Sequence, residues 1–290
     1  MDYHNDRFQD FSLMIYKDEK LIALMPANKV DDCVYSHQGL TYGGFIYKSD
    51  LKSEDVINLL KAVLNYLLDN KIKTLELKEL PIVFLENQTN NPLAYLCFKL
   101  KAQLVRVDMH SVVDLKFKAY NRSRKNGYKR GQKNNLVVKE VNDFEDFWNK
   151  ILIPNLDNKH DVKPVHSLEE IQLLKTKFPN KIRQFNVYHN NIIVAGTTIF
   201  ETKHVAHSQY ISGNADKNTL GSLDFLHHHL LEDVFASKSY FNFGISNLNQ
   251  GQNINQGLLY WKEGFGSHSI TQSFYKFDTV NVKLLNDLYI

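Results

Sequence analysis

Strand-like and helix-like segments follow each other in the same order twice along this chain. In each half, three strand patterns precede a helix, a strand, a second helix and a final strand. The second half adds a strand and two helices in front of that series. Such a repeated order predicts an internal duplication of structure. Because helices alternate with strands, we expect an α+β fold of mixed α/β layers.

Local patterns place several of these elements. Residues 12–27 alternate in a way that predicts a β-hairpin turning at 18–20. Ser53 precedes an amphipathic helix with apolar residues at helical spacing. Asn142 with Glu145, and Ser167 with Glu170, have the spacing of capping boxes, so each pair predicts the start of a helix.

Composition excludes several classes of protein. The 290 residues are 43% hydrophobic and 23% charged, which is typical of a globular chain, and the net charge of +3 neither requires nor excludes a polyanionic partner. Cys33 and Cys97 lie far apart, so we expect reduced thiols and no disulfide framework or zinc knuckle. No apolar stretch approaches the ~20 residues of a membrane span. No signal-peptide pattern is present, and we expect a cytoplasmic location.

The consecutive histidines His227, His228 and His229 suggest a metal site at first sight. Successive residues of a helix point ~100° apart, so the three imidazoles cannot converge on one ion. His227 falls on the apolar stripe of its helix and the other two point outward. We therefore expect no metal at this place.

A strongly basic segment lies between the two halves. Residues 116–133 contain eight lysines and arginines and no acid, and Gly127 and Gly131 are expected to interrupt any long helix there. The segment is either a solvated linker or a cationic clamp for phosphates. It predicts a division into a first unit at 1–115, a connector at 116–135 and a second unit at 136–290.

Residues 240–266 have the pattern of a ligand site. An aromatic strand enters Gly244, a loop rich in Asn, Gln and Gly follows, and a helix then ends near Lys262. A strand that opens into a polar loop and a helix N-terminus is a common small-molecule site in sheets flanked by helices. The loop, which ends at Asn255, offers amides for sugar hydroxyls or phosphate, or it is only a polar surface loop.

Two further sets of polar residues in the second half are candidates. His207 and Gln209 alternate along one strand and so share a face, where His207 could act as a base and Gln209 as an anchor; a satisfied structural histidine is the alternative. His160 and His166 flank Pro164 before a helix. That loop either closes over a substrate or only caps the helix.

The first half offers two candidates of its own. His37, Tyr42 and Gly43 lie where a strand meets a loop, and the paired glycines there allow close approach of a ligand or form a plain turn. Asp108 lies in a strand and could act as a base, or it could pair with Arg106.

Several phrases of the sequence resemble a known family. SHQGLTYGGFIY (36–47), HVAHSQYISGN (204–214), FNFGISNLNQGQNINQGL (241–258) and WKEGFG (261–266) are similar to those of the Fem-type aminoacyltransferases, which have the GNAT acyltransferase fold. Relatives include acyltransferase-like proteins found with bacterial surface-polysaccharide genes. The resemblance implies two tandem GNAT-like units, the first truncated, each with a mostly antiparallel central sheet flanked by helices.

The resemblance also implies roles for individual residues. Lys262 matches the lysine of the family's C-terminal Lys-x-x-Phe-Gly pattern, near the reaction centre and the acceptor phosphates; an exposed lysine at a helix end is the alternative. Arg124 and Arg130 lie in a segment that resembles the Arg-rich connection before the second unit, where they would bind phosphates. Tyr210 and Ser246 lie within the matching phrases and are expected to contact substrate.

The donor implied by the resemblance is an aminoacyl-tRNA. Acetyl-CoA users of this fold carry a glycine-rich loop that wraps the pyrophosphate, whereas residues 215–225 read ADKNTLGSLDF, so coenzyme A is disfavoured. The implied activity is transfer of an acyl or aminoacyl group to a small or nucleotide-linked acceptor. The group would be added to the amino group or, as second choice, a hydroxyl of a nucleotide-linked sugar or cell-envelope precursor. Two alternatives stay open: a nucleotide-sugar or glycan-binding protein without catalysis, and an RNA-binding module that uses the basic segment.

Overall fold

The computed structural model describes residues 6–48, 50–85, 92–160 and 164–289, without the side chains of 158–160. These residues form two compact units. One contains the chain up to Asp108 together with the part from Thr271 onward, and the other contains Met109–Ile270. The predicted division at 116 and 135 stays a prediction. None of the helices in the described ranges has the length and apolarity needed to cross a membrane.

The regular elements are numbered along the chain. The strands are β1 (Gln9–Asp10), β2 (Leu13–Lys17), β3 (Lys20–Met25), β4 (Asn28–Val30), β5 (Cys33–Tyr35), β6 (Ile46–Tyr47), β7 (Thr74–Lys78), β8 (Gln103–Asp114), β9 (Val137–Val141), β10 (Ile182–His189), β11 (Ile192–Glu201), β12 (Val205–Gly213), β13 (Tyr240–Ile245), β14 (Asn247–Leu248), β15 (Asn253–Ile254) and β16 (His268–Asp278). The helices are α1 (Ser53–Asp69), α2 (Leu93–Lys99), α3 (Arg122–Lys133), α4 (Glu145–Phe147), α5 (Ile153–His160), α6 (Leu168–Lys177), α7 (Lys217–Leu220), α8 (Ser222–His229) and α9 (Gln256–Glu263).

The first unit contains a sheet in the order β1-β4-β5-β7-β16 and a smaller sheet in the order β2-β3-β6. Only the β5–β7 pair of the larger sheet is parallel. The predicted hairpin is confirmed: β2 and β3 are joined by Asp18 and Glu19, both with positive φ, as a tight two-residue turn requires. The predicted helix α1 is also confirmed. Its buried face consists of Val56, Leu59, Leu60, Val63, Leu64 and Leu67.

The second unit is built on a sheet in the order β8-β13-β12-β11-β10-β9. Every neighbouring pair in it is antiparallel except β12–β13. Its core packs Phe185, Phe241 and Phe243 of the sheet against Leu226 and Leu230, which belong to α8 and the turn after it. The predicted α+β class, with a mostly antiparallel sheet flanked by helices, is confirmed.

One of the two predicted capping boxes forms. The Ser167 hydroxyl accepts from the Glu170 N–H and the Glu170 carboxylate accepts from the Ser167 N–H, which starts α6 as predicted. The box predicted at Asn142 is wrong. Helix α4 begins at Glu145, whose N–H donates to the Asp143 carboxylate at 2.8 Å, so the capping side chain comes one residue later than the spacing indicated.

The expectation that Gly127 and Gly131 interrupt a helix is wrong, because α3 runs through both. Both glycines are buried, and they let α3 approach α8 closely. A Cβ at Gly127 would lie 1.6 Å from the Asp224 carboxylate, and one at Gly131 would lie 2.5 Å from the Phe225 Cβ. The missing side chains thus contribute to helix packing, and this offsets their cost in helix propensity.

Replacing Gly131 with alanine tests this packing. The added methyl group meets the Phe225 Cβ, which cannot move without its helix, and overpacking of this kind costs about 1–3 kcal/mol. Gly257→Ala is the matched control, because its Cβ would meet only Asn255 Oδ1 at 3.8 Å. In urea unfolding, we expect Gly131→Ala to lower the midpoint, and Gly257→Ala to raise it through a gain of about 0.5–1 kcal/mol. Equal midpoints for the two variants would contradict the account.

Candidate functional site

Strands β12 and β13 diverge after a short parallel contact. They pair only from Val205–His207 to Tyr240–Asn242 within the described residues. Beyond Asn242 the register of β13 against β8 also breaks, and Gly244 has a φ of +71°, a conformation that favours glycine. Backbone carbonyls that would otherwise continue a sheet are therefore free to accept other donors at this point.

Lys262 of α9 supplies that donor. Its side chain is 2% exposed, and its Nζ donates to the carbonyl oxygens of Gly244 at 3.1 Å and Ile245 at 2.6 Å. Among the described residues, no carboxylate pairs with it. Burial alone lowers the pKa of Lys262 to about 7. The amine is therefore poised to gain or lose a proton near neutral pH, which is typical of functional lysines.

A chain of hydrogen bonds fixes the orientation of His110. The Gly244 N–H donates to Asn242 Oδ1 at 2.7 Å, so the other amide atom, Nδ2, faces His110 Nδ1 at 3.1 Å. Because an amide nitrogen only donates, His110 Nδ1 must accept. The imidazole of His110 is therefore neutral and carries its proton on Nε2.

His207 lies beside this series of hydrogen bonds. Its ring centre is 6.4 Å from that of His110, and its side chain is buried. Burial, followed by electrostatic interactions with His110 and Lys262, lowers the pKa of His207 to about 3. His207 is consequently neutral at physiological pH. A hydrogen bond to Gln209 has the opposite, smaller effect on this pKa.

The base of the polar loop contains two predicted site residues. The Asn255 N–H donates to the Ser246 carbonyl at 2.8 Å, and the Asn255 side chain caps α9 by accepting from the Leu258 N–H at 3.0 Å. Ser246 Oγ is buried and has no hydrogen-bond partner among the described residues. This buried hydroxyl belongs to the residue after Ile245, whose carbonyl accepts from Lys262.

Two other predicted site residues of the second unit, Tyr210 and His166, are hydrogen-bonded to each other. The Tyr210 hydroxyl accepts from the His166 N–H at 3.1 Å and lies 2.7 Å from His166 Nδ1. Arg124 makes a buried ion pair with Asp224, whereas Arg130 is exposed. The side chain of His160 lies outside the described residues.

In the first unit, the predicted site residues His37, Tyr42 and Gly43 have close neighbours within that unit. His37 is buried, and its Nδ1 accepts from the Gly39 N–H at 3.1 Å. Tyr42 is half-buried and packs against Phe84, and burial of its hydroxyl raises its pKa well above the usual value. A Cβ at Gly43 would lie 2.1 Å from the Ser36 carbonyl oxygen, so no other residue fits there without a shift.

Asp108 makes a bidentate pair with Arg106, at 3.0 and 2.7 Å, which is the alternative its sequence position left open. Lys78, which the sequence reasoning missed, lies near this pair. Its Nζ donates to the Leu40 carbonyl at 2.7 Å, and burial, followed by the charge of Arg106, lowers its pKa to about 8.

His110 and Asn242 were also missed. Asn242 is the single polar residue between Phe241 and Phe243, and that interruption of an apolar strand was the available signal. His110 alternates with Asp108 along β8 but had no visible partner, because Asn242 lies 132 residues away.

The three consecutive histidines point in different directions. His227 is buried among aromatic rings, His228 stacks on Tyr128 with ring centres 3.7 Å apart, and His229 pairs with Asp233. In the described part of the chain, no group of three metal-ligating side chains comes together.

Several solved structures share this fold. FemX matches 93% of this chain and 88% of its own with a TM-score of 0.68 and 8% identity. The C-terminal domain of a protein assigned as a lysylphosphatidylglycerol synthetase from Agrobacterium fabrum matches 95% of this chain and 86% of its own. Its TM-score is 0.64 and its sequence identity is 12%. L-PGS from Bacillus licheniformis matches 91% of this chain and 85% of its own, with a TM-score of 0.59 and 12% sequence identity. No protein-family model and no curated protein matches the sequence.

At these identities the similarity establishes the fold alone. The predicted resemblance to the Fem-type, GNAT-like architecture is confirmed at that level.

Asn242→Asp tests the chain that orients His110. One carboxylate oxygen would still accept from the Gly244 N–H, while the other would face His110 Nδ1 and require a donor there. We expect nitrogen-15 NMR to show the His110 proton on Nε2 in the native protein and on Nδ1 in the variant. Asn249→Asp, in an exposed part of the loop, is the matched control and should change nothing. A native protein with the proton already on Nδ1 would refute the assignment.

Proposed function

We propose that this protein is a transferase that moves an aminoacyl group onto the amino group of a nucleotide-linked sugar or cell-envelope precursor. A hydroxyl acceptor is the second choice. The observation that carries the proposal is Lys262, a buried amine that no carboxylate of the described residues pairs with, held where β12 and β13 diverge. The fold shared with FemX supports the same class of reaction.

The reaction needs no covalent enzyme intermediate. The free acceptor amine attacks the ester carbonyl of the donor, so that an N–C bond forms and an oxyanion develops. The C–O bond to the donor ribose then breaks, and the proton lost by the acceptor nitrogen ends on the ribose oxygen. The protein has to align the two substrates and stabilise the oxyanion.

Lys262 can both stabilise the oxyanion and transfer the proton in this reaction. As an ammonium group it has three N–H donors, of which two bond to the Gly244 and Ile245 carbonyls, so the third can donate to the oxyanion. Because its pKa is about 7, it can release that proton to the leaving oxygen and regain one from the acceptor nitrogen.

His207 is less suited to the role of base. Its pKa of about 3 is far below the working pH, so its affinity for a proton is too low for efficient general-base catalysis. We assign it a positioning role beside Lys262, and we place the predicted proton transfer on the lysine.

The start of α8 supports an aminoacyl-tRNA donor over coenzyme A. Gly221 precedes this helix with a φ of +72°, and a Cβ there would lie 2.2 Å from the Gly127 carbonyl of α3. The buried carboxylate of Asp224 also lies in the first turn of α8. A helix N-terminus that is covered by another helix and already holds an anionic side chain is a poor site for a pyrophosphate.

Lys262→Met tests the proposal, because methionine keeps the length and apolar stem of the side chain but removes its charge. The assay supplies tRNA carrying a radiolabelled mixture of amino acids and a panel of nucleotide-linked amino sugars. We expect the native protein to form a labelled product whose mass shows the added aminoacyl group, and the variant to be about 100- to 1,000-fold slower.

The matched control is Glu263→Gln, an exposed change at the next residue of α9, which should leave the rate unchanged. Melting curves establish that both variants are folded. Near-native turnover by Lys262→Met would overturn the role of this lysine. Binding of a nucleotide sugar by the native protein without any product would favour the non-catalytic alternative.

A further inference from the structure

The outer face of α3 carries a row of positive charge that takes no part in the proton transfer assigned to Lys262. The cationic row consists of Arg122, Lys125, Lys129 and Lys133, all exposed. At ~100° per residue, these four side chains lie within an arc of about 80°, directly opposite the buried face that contains Gly127 and Gly131. One side of the helix therefore packs on the protein, and the other presents cations to the solvent.

The spacing along the helix is regular. Steps of three, four and four residues separate the four cations, which corresponds to a row about 16 Å long. The sequence has no Asp or Glu from Leu115 to Lys139, and the four side chains form no ion pair with any described residue. Their mutual repulsion is thus uncompensated within the described structure, and an external anion would relieve it.

Helix α3 is held rigidly enough to present this row. The Asn121 side chain caps its start by accepting from the Arg124 N–H at 3.0 Å. On the inner side, Arg124 pairs with Asp224, and the Tyr128 ring stacks on His228. A fixed helix loses less conformational entropy on binding than a flexible basic tail does.

We propose that the cationic row binds the sugar-phosphate backbone of an RNA. A nucleic acid duplex carries about one negative charge per 1.7 Å of its axis, so a row of about 16 Å spans several phosphates. Contacts of this kind position a nucleic acid without reading its sequence.

An RNA fits this face better than a membrane does. Helices that lie on membranes bury an apolar face in the lipid, whereas the face of α3 opposite the cations is covered by α8. The exposed residues beside the row, Asn126 and Gln132, are polar and provide no apolar anchor. The inference builds on the proposed function, since the RNA would be the part of the donor that carries the aminoacyl group.

The test compares two triple variants of equal charge. In Lys125→Gln/Lys129→Gln/Lys133→Gln the row loses three of its cations. The control, Lys20→Gln/Lys48→Gln/Lys283→Gln, removes three exposed lysines outside the second unit. Binding of unfractionated tRNA that carries no amino acid is measured by fluorescence anisotropy between 50 and 300 mM KCl. Each phosphate contact contributes roughly 0.7–0.9 to the magnitude of the slope of log K against log salt. We therefore expect this slope to be smaller in magnitude by about two to three in the row variant.

The control variant should keep the native slope. Equal slopes for the two triple variants, or no binding of tRNA by the native protein, would overturn the proposal. So would binding of phosphatidylglycerol vesicles through the row when tRNA binding does not depend on it. Lys262→Met should bind tRNA as the native protein does, so failure of transfer and failure of RNA binding are distinguished.

Discussion

The hydrogen bonds from Lys262 to the Gly244 and Ile245 carbonyls hold the candidate site together. They satisfy backbone groups that β13 exposes where it leaves β12. The same turn directs the Gly244 N–H toward Asn242, which in turn sets the proton position of His110. Removal of the lysine would leave two carbonyls without their donor, so one amine supports both the backbone geometry and the proposed chemistry.

The packing of α3 on α8 determines the electrostatics of the second unit. Glycines at 127 and 131 bring the helices close, and the buried Arg124–Asp224 pair lies in this contact. As a consequence, the start of α8 is covered and already contains a carboxylate. The remaining cations of α3 are turned outward. The inner face of this basic helix is thus packed on α8, whereas its outer face is exposed to solvent.

The fold was largely predictable because it depends on local patterns. The hairpin at Asp18 and Glu19 and the capping box at Ser167 involve residues within three positions of each other. The site was predictable only in part. Resemblance identified Lys262 as a candidate, but its burial, which lowers its pKa, comes from tertiary packing, and its hydrogen bonds reach carbonyls 17 and 18 residues earlier. The partnership of Asn242 with His110 spans 132 residues and has no local signature.

Titration of Lys262 in the native protein measures whether burial keeps its amine close to neutrality at physiological pH. With lysines labelled by carbon-13 at Cε, NMR between pH 5 and 11 follows the protonation of each amine. Because burial destabilises the ammonium form, we expect one resonance to titrate near pH 7 and to be missing in Lys262→Met. If the resonance lost in that variant titrates instead near the ordinary lysine value of about 10.4, the amine is not desolvated and the account is contradicted.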